Sequence, residues 1–178
     1  MRQPIILVGF TSCGKSATGR ALARLSGFDF IDLDIVIENR YFSQHGIPLR
    51  CREIFTQKGA DVFLSLEHEA LAGLAGQGKY ILSTGGGAPM DLENRRLIKL
   101  LGIVVHLDPD PSVIVDRLKN KGYPAYLGPD PTPEKLRQFW EIRNPVYAEC
   151  ADFSIDNTLI SPGETAEKIV AFLKKRGV

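Results

Sequence analysis

The chain has 178 residues, of which 44% are hydrophobic and 24% charged, and its formal net charge is +1. This length suits one globular domain, so we expect a single domain over residues 1–178 and a monomer. A charge this close to zero gives no general attraction to nucleic acid or to a membrane surface, and we expect neither as a partner.

The cysteines indicate the compartment. Cys13, Cys51 and Cys150 form no CxxC pair, and their number is odd. A disulfide framework is therefore not expected. The N-terminus has no long apolar stretch ending in small residues, so we also expect no signal peptide. Together these features predict a cytoplasmic protein.

The first half of the chain alternates short apolar runs with stretches of helical spacing. In chain order these predict a strand at 4–10, a helix at 15–26, a strand at 28–33, a helix at 35–42, and one or two helices within 53–76. Gly27 stops the first helix, and Gly59 is a possible break in the last segment.

The second half continues this alternation around a predicted lid. The elements are a strand at 79–83, a helix at 91–101 capped by Asp91, a strand at 103–107, a helix at 111–119, a helix at 132–149, a strand at 153–156 and a helix at 164–175. Residues 121–133 hold four prolines and two glycines, which is typical of a loop, and we assign a lid to 119–133.

Continuously apolar strands that alternate with helices predict an α/β fold with a parallel sheet and helices on both faces. Ligands in such folds bind beyond the carboxyl ends of the strands. The candidate motifs all follow predicted strands, so we expect them to meet at one edge of the sheet.

A phosphate-binding loop is predicted after the first strand. Residues 9–16, GFTSCGKS, match G-x-x-x-x-G-K-S between a strand and a helix. The glycines let backbone amides turn toward phosphate oxygens, Lys15 is expected to reach the β- and γ-phosphates of ATP, and the Ser16 hydroxyl to bind Mg²⁺. The alternative is a glycine-rich turn with no ligand. The expected ATP contacts are Gly9, Thr11, Ser12, Cys13, Gly14, Lys15, Ser16 and Ala17.

Two acidic residues follow the second strand. Alternation along an extended chain puts Asp32 and Asp34 on the same side, toward the phosphate loop. One carboxylate can orient waters on Mg²⁺, and the other can accept a proton from an attacking hydroxyl. The alternative is that Asp34 is a helix N-cap and that the other acid is solvated.

These residues together resemble the shikimate kinase family. The strings GFTSCGKSATGRALA, FIDLD, STGGG, GIVVHLD and RNPVY occur in the family's order and spacing, from residue 5 to about residue 171. The resemblance implies transfer of a phosphoryl group from MgATP to the 3-hydroxyl of shikimate, in aromatic amino-acid biosynthesis. It also implies a three-layer P-loop kinase fold, with a five-stranded parallel sheet in the order 2-3-1-4-5.

The resemblance also implies residue roles. Asp32 is expected to act on the metal. Asp34 is expected to bind the substrate hydroxyl and serve as the base, and the helical segment 33–76 is expected to bind the acceptor. Arg143 is expected to grip the substrate carboxylate. Other implied contacts are Gly85, Gly86 and Gly87 with the substrate, and Arg117 and Pro162 on either side of adenine.

Two departures from the family pattern affect the expected acceptor and lid contacts. Leu64 stands where the family has the arginine of F-R-x-L-E, and the sequence YPA at 123–125 replaces R-P-L. An arginine can hold an oxyanion with two hydrogen bonds. Arg50 and Arg52 are candidate substitutes at the acceptor site, and Lys119 and Lys121 in the lid; for all four the alternative is a solvated side chain.

The sequence leaves three functions open. The first is a shikimate kinase that depends on ATP and Mg²⁺. The second is a related kinase for another hydroxylated acceptor, since an acceptor without a carboxylate would not need two arginines. The third is a nucleotide-binding homologue with weak catalysis, which the missing lid arginine motivates.

Overall fold

A parallel β-sheet forms the centre of the protein. The structure, a computed structural model, describes residues 3–121, 123 and 132–177, and within them the sheet has five strands. The strands are β1 (Ile5–Val8), β2 (Asp29–Asp32), β3 (Tyr80–Ser83), β4 (Ile103–Leu107) and β5 (Phe153–Ile155). Their order is β2-β3-β1-β4-β5, and every pairing is parallel, which confirms the predicted topology.

Helices follow the strands in the alternation that the sequence predicts. In the described part of the chain they are α1 (Lys15–Ser26), α2 (Leu33–His45), α3 (Cys51–Lys58), α4 (Ala60–Ala72), α5 (Leu92–Leu101), α6 (Pro111–Lys121), α7 (Pro133–Cys150) and α8 (Pro162–Lys175). A short 3₁₀ turn, Ala88–Met90, follows β3. None of these helices has the length and apolar character needed to cross a membrane.

The sheet buries apolar side chains on both faces. Alternate residues of β1 point to opposite sides, with Ile6 in one apolar cluster and Ile5 in the other. Ile6 packs in a cluster with residues from α2, α4, α5, α6 and α7, whereas Ile5 packs with residues from α1 and α8. Burial of each large side chain contributes about 1.5–3 kcal/mol. The three-layer α/β fold is thereby confirmed.

Several local signals in the sequence fix the ends of the helices. Gly27 ends α1 with φ 72°, a left-handed conformation that costs glycine little. Gly59 separates α3 from α4 with φ 92°, so the 53–76 segment contains two helices. The Asp91 side chain caps α5 by accepting a hydrogen bond from the Asn94 backbone N–H at 2.9 Å.

One local prediction is wrong. β2 ends at Asp32, and Asp34 already lies in the first turn of α2, so the two acids do not share one side of a strand. Asp32, not Asp34, is the N-cap of α2, and its Oδ1 accepts a hydrogen bond from the Asp34 backbone N–H at 3.3 Å. This capping hydrogen bond begins α2 directly after Asp32, so the strand geometry does not extend to Asp34.

The predicted lid lies mostly outside the described residues. Residues 119–121 form the end of α6, and Thr132 caps α7 by accepting a hydrogen bond from the Lys135 backbone N–H. Tyr123 packs against the apolar core. Residues 122 and 124–131, which include two of the three positions of the departing YPA sequence, are outside the description, so the lid stays a prediction.

Candidate functional site

The phosphate loop, residues 9–16, connects β1 to α1 and depends on its two glycines. Gly9 has φ 142°, and a Cβ atom there would lie 2.6 Å from the Leu107 carbonyl oxygen. Gly14, with φ 107°, occupies the N-cap position of α1. Any other residue would be strained at either position. The spacing of the motif therefore reflects two backbone requirements of this turn.

Two distant side chains hold the outer carbonyl groups of the loop. The Arg117 Nη1 donates a hydrogen bond to the Ser12 carbonyl at 3.1 Å, and the Asn157 Nδ2 donates one to the Cys13 carbonyl at 2.9 Å. Ser12 itself has φ 59°, an uncommon conformation for a residue with a Cβ. These bonds fix the turn ahead of α1, whose first amides have no acceptor within the helix and are suited to an anion.

The Lys15 ammonium group lies at the base of the loop. It is 8% exposed and donates hydrogen bonds to the carbonyls of Gly9 at 2.8 Å and Phe10 at 2.9 Å. Its Nζ is also 3.8 Å from the Cys13 Sγ, and Cys13 is fully buried. Carbonyl oxygens thus compensate the buried charge and keep the ammonium beside the turn.

A cluster of oxygen atoms lies beside the start of α1. The Ser16 Oγ donates to the Asp32 Oδ2 at 3.0 Å and lies 3.2 Å from the Ser83 Oγ. Hydroxyl and carboxylate oxygens are ligands that Mg²⁺ prefers, and Mg²⁺ usually takes few protein ligands together with waters and substrate phosphates. No group of three or more His, Cys, Asp or Glu suited to a metal occurs in the described ranges. Ser16 and Asp32 fit this ion.

Two cavities meet at Asp34. The phosphate cavity, about 210 Å³, is lined by the loop together with Asp32 and Ser83. The acceptor cavity, about 480 Å³, extends from the same point between α3, α4 and α7. Their shared lining residues are Thr11, Asp34, Gly85 and Gly86. A group bound in one cavity can therefore react with a group bound in the other beside the Asp34 carboxyl.

The acceptor cavity has an apolar wall and a mixed set of charges. Phe55, Phe63, Leu64 and Met90 line the apolar part, and the Phe55 and Phe63 rings meet edge to face with centroids 5.9 Å apart. Arg52 and Arg143 supply positive charge. The Arg143 guanidinium also lies over the Phe139 ring, 5.5 Å from its centroid.

Two of the carboxyl groups in the acceptor cavity hold protons more tightly than usual. Burial raises the pKa of Asp34, and the charge of Asp32 adds to the rise while Lys15 opposes it. Burial, together with Asp34 and Asp91, raises the pKa of Glu67 to about 8. Glu67 is only 5% exposed, so at neutral pH it is mostly protonated.

The triple glycine after β3 brings backbone close to these acids. A Cβ atom on Gly85 would lie 3.0 Å from the Asp34 Oδ1 and 3.6 Å from the Glu67 Oε1. One on Gly86 would lie 3.3 Å from the Thr11 backbone nitrogen, and a Cβ on Gly87 would meet nothing within 4 Å. A side chain would thus crowd the Asp34 carboxylate at the first position and the Thr11 backbone at the second, and would have open space at the third. The Tyr147 hydroxyl donates to the Gly86 carbonyl at 2.6 Å.

The candidate substitutes for the missing arginines lie in different places. Arg52 lines the acceptor cavity, whereas Arg50 donates to the Glu38 Oε2 at 2.8 Å and lines a separate crevice. Lys119 pairs with Asp116 at 3.0 Å on the surface, and the Lys121 side chain is outside the description. Pro162 begins α8, where it is exposed.

Sequence reasoning missed Asn157, Glu67 and Tyr147 as site residues. Asn157 follows the carboxyl end of β5, the same signal that singled out Asp32 and Asp34 after β2. Tyr147 and Glu67 belong to sequence strings that resemble the family pattern, but those strings gave neither residue a role. Their proximity to the triple glycine comes from helix packing, which the sequence does not specify locally.

The loop between β1 and α1, the 2-3-1-4-5 parallel sheet and the two adjoining cavities define a P-loop kinase. A family model described as shikimate kinase matches residues 11–174. The chain belongs to the shikimate kinase family, which confirms the resemblance seen in the sequence.

Individual relatives agree over nearly the full length. A shikimate kinase of Geobacter sulfurreducens is 36% identical over 171 residues, covering 96% of this chain and 91% of the relative. One of Thermodesulfovibrio yellowstonii is 33% identical over 166 residues, covering 93% of this chain and 92% of the relative. Among solved structures, shikimate kinase from Acinetobacter baumannii in complex with shikimate has a TM-score of 0.89 and 30% identity, and covers 98% of this chain and 94% of that one.

Proposed function

We propose that this chain transfers the γ-phosphate of ATP to the 3-hydroxyl of shikimate. The observation that carries the proposal is the position of Asp34, which lines both the phosphate cavity and the acceptor cavity. The family relationship supplies ATP as the co-substrate, and the relative solved with shikimate is similar over nearly the whole chain.

The first requirement is to hold the nucleotide. The amides at the start of α1 bind the β- and γ-phosphates, and Lys15 neutralises charge on them. Arg117, which contacts the outside of the loop at Ser12, and the start of α8 at Pro162 flank the adenine in this proposal. Ser16 and Asp32 hold Mg²⁺, which supplies further charge neutralisation on the phosphates when bound.

The second requirement is to deliver the acceptor. The apolar wall of the acceptor cavity packs against the carbon ring, and Arg143 binds the carboxylate. This orientation puts the 3-hydroxyl beside Asp34. Its oxygen then forms a bond to the γ-phosphorus, the bond from that phosphorus to the β–γ bridging oxygen breaks, and the hydroxyl proton passes to the Asp34 carboxylate.

Water must be excluded for this transfer to outcompete hydrolysis. The predicted lid at 119–133 is our candidate for that task, since it links α6, which carries Arg117, to α7, which carries Arg143. We further propose that the protein works as a monomer in the cytoplasm.

A coupled assay of ADP release tests the proposal. The full-length protein with MgATP is expected to release ADP only when shikimate is added. Lys15→Ala should lower kcat/KM at least about a hundredfold, because it removes charge-assisted contacts to the phosphates. Lys99→Ala is the matched control, since its ammonium donates to the Glu149 carbonyl and lines a crevice that contains none of the predicted site residues.

Two results would contradict the proposal. One is the absence of shikimate-dependent ADP release at millimolar shikimate. The other is turnover of a hydroxylated compound without a carboxylate in preference to shikimate, which the apolar Leu64 would then explain. Retention of activity by Lys15→Ala would instead overturn the role of the loop.

A further inference from the structure

The acceptor cavity has an excess of acidic groups. Its lining includes four carboxyl groups and two guanidinium groups, namely those of Asp34, Asp61, Glu67, Asp91, Arg52 and Arg143. Shikimate carries a carboxylate, and an anion that enters such a cavity needs directed positive charge to offset desolvation and repulsion. The placement of the two arginines therefore decides how the acceptor is held.

Arg52 is available for a ligand. Within the described ranges its guanidinium takes part in no hydrogen bond or ion pair, and the residue is exposed at the edge of the cavity. The neighbouring Arg50 differs, because its Nη1 lies 2.8 Å from the Glu38 Oε2. Of the two arginines in this stretch, only Arg52 lines the acceptor cavity.

Two backbone amides at the start of α3 already have carboxylate partners. The Cys51 backbone N–H donates to the Glu38 Oε1 at 3.1 Å, and the Arg50 backbone N–H donates to the Glu53 Oε2 at 2.8 Å. These two amides are therefore not available to an anion, whereas the exposed Arg52 side chain is.

The wall of the acceptor cavity around Leu64 is apolar. Leu64 lines the cavity, 38% exposed, alongside Phe55 and Phe63, so this wall suits carbon atoms and offers no partner to a carboxylate. Of the lining residues only Arg52 and Arg143 carry positive charge, and α3 and α7 present them.

We infer that Arg52 is a specificity-determining residue that binds the acceptor carboxylate together with Arg143. The inference rests on the proposed function. A charge-assisted hydrogen bond contributes about 1.5–3 kcal/mol, which corresponds to roughly a tenfold to hundredfold change in binding. Arg52 lines the acceptor cavity and not the phosphate cavity, so its effect is expected on KM for shikimate.

The test compares Arg52→Ala with Arg50→Ala in steady-state kinetics of the full-length protein. Arg52→Ala is expected to raise KM for shikimate roughly tenfold to a hundredfold, with kcat within about threefold and KM for ATP unchanged. Arg50→Ala is expected to leave all three constants nearly unchanged, because it removes only an ion pair whose arginine is exposed.

A neutral acceptor separates charge recognition from a structural effect. Wild type should prefer shikimate to its carboxamide, and Arg52→Ala should lose most of that preference, because the missing contact is to the carboxylate. A variant that is merely disordered would lose both activities equally. Adding Leu64→Arg to Arg52→Ala is expected to restore part of the affinity for shikimate, because position 64 also lines the acceptor cavity.

The outcomes distinguish the two proposals. If wild type phosphorylates shikimate but Arg52→Ala keeps KM within twofold, or keeps the preference for the acid over the carboxamide, Arg52 does not bind the carboxylate and the inference fails. If wild type does not phosphorylate shikimate at all, the proposed function fails and the inference fails with it.

Discussion

Replacing Glu67 with glutamine should stabilise the protein at neutral pH. Glu67 is 5% exposed and has a pKa raised to about 8 by burial and by the charges of Asp34 and Asp91. A glutamate in the unfolded chain ionises near its ordinary value of 4.5. Between these two values the folded protein holds a proton that the unfolded chain releases. Stability therefore falls as pH rises through this range.

The size of the effect follows from the two pKa values. Each pH unit between 4.5 and 7 removes about 1.4 kcal/mol of stability through this one group, or about 3 kcal/mol at pH 7. Glutamine has nearly the same shape as the protonated glutamate and does not ionise. The difference in unfolding free energy between Glu67→Gln and wild type should thus grow from near zero at pH 4.5 to about 3 kcal/mol at pH 7.

Urea unfolding of both proteins at several pH values between 4.5 and 7.5 measures this difference. Glu69→Gln is the matched control on the same helix, because its side chain is 44% exposed and pairs with Arg40 at 3.2 Å. It should lose up to about 1 kcal/mol and gain none. A stability difference for Glu67→Gln that stays flat with pH would refute a mostly protonated Glu67 in the folded state.

Two further predictions concern backbone close to the site. Gly85→Ala would put a Cβ atom 3.0 Å from the Asp34 Oδ1, so kcat should fall roughly tenfold to a hundredfold. Gly87→Ala is the control and should lower kcat far less, because its Cβ atom meets nothing within 4 Å. Equal losses of kcat in the ADP assay would contradict this prediction. Asn157→Ala removes the donor to the Cys13 carbonyl, so KM for ATP should rise roughly fivefold to fiftyfold with KM for shikimate unchanged. An unaltered KM for ATP would show that the loop holds its shape without that bond.

Much of the fold could be predicted because the buried strands are continuous apolar runs in the sequence. All residues of β1, β3 and β4 are buried, and a run without polar alternation is typical of a parallel strand covered on both faces. β2 was harder, since the sequence FIDLDIVI fits a strand period and a helix period equally well. Only the cap formed by Asp32 decides where the strand stops.

The candidate site was predictable where a motif fixes backbone and not where packing fixes side chains. The loop glycines, Lys15 and Ser16 follow from spacing alone. Arg50 and Arg52, by contrast, are two residues apart and chemically identical. What separates them is Glu38 on α2, which engages Arg50, and such a tertiary contact leaves no local signal.

The departure at Leu64 and the raised pKa of Glu67 belong to one arrangement. Burial and the carboxylates of Asp34 and Asp91 raise the pKa of Glu67. An arginine at position 64, three residues earlier on α4, would oppose that rise. With leucine there, Glu67 keeps its proton at neutral pH, and the acceptor cavity carries one negative charge fewer. That neutrality lowers the repulsion toward an anionic acceptor, so less positive charge is needed to hold it. Arg143, with Arg52 at the start of α3, can then suffice where the family pattern uses an arginine at position 64.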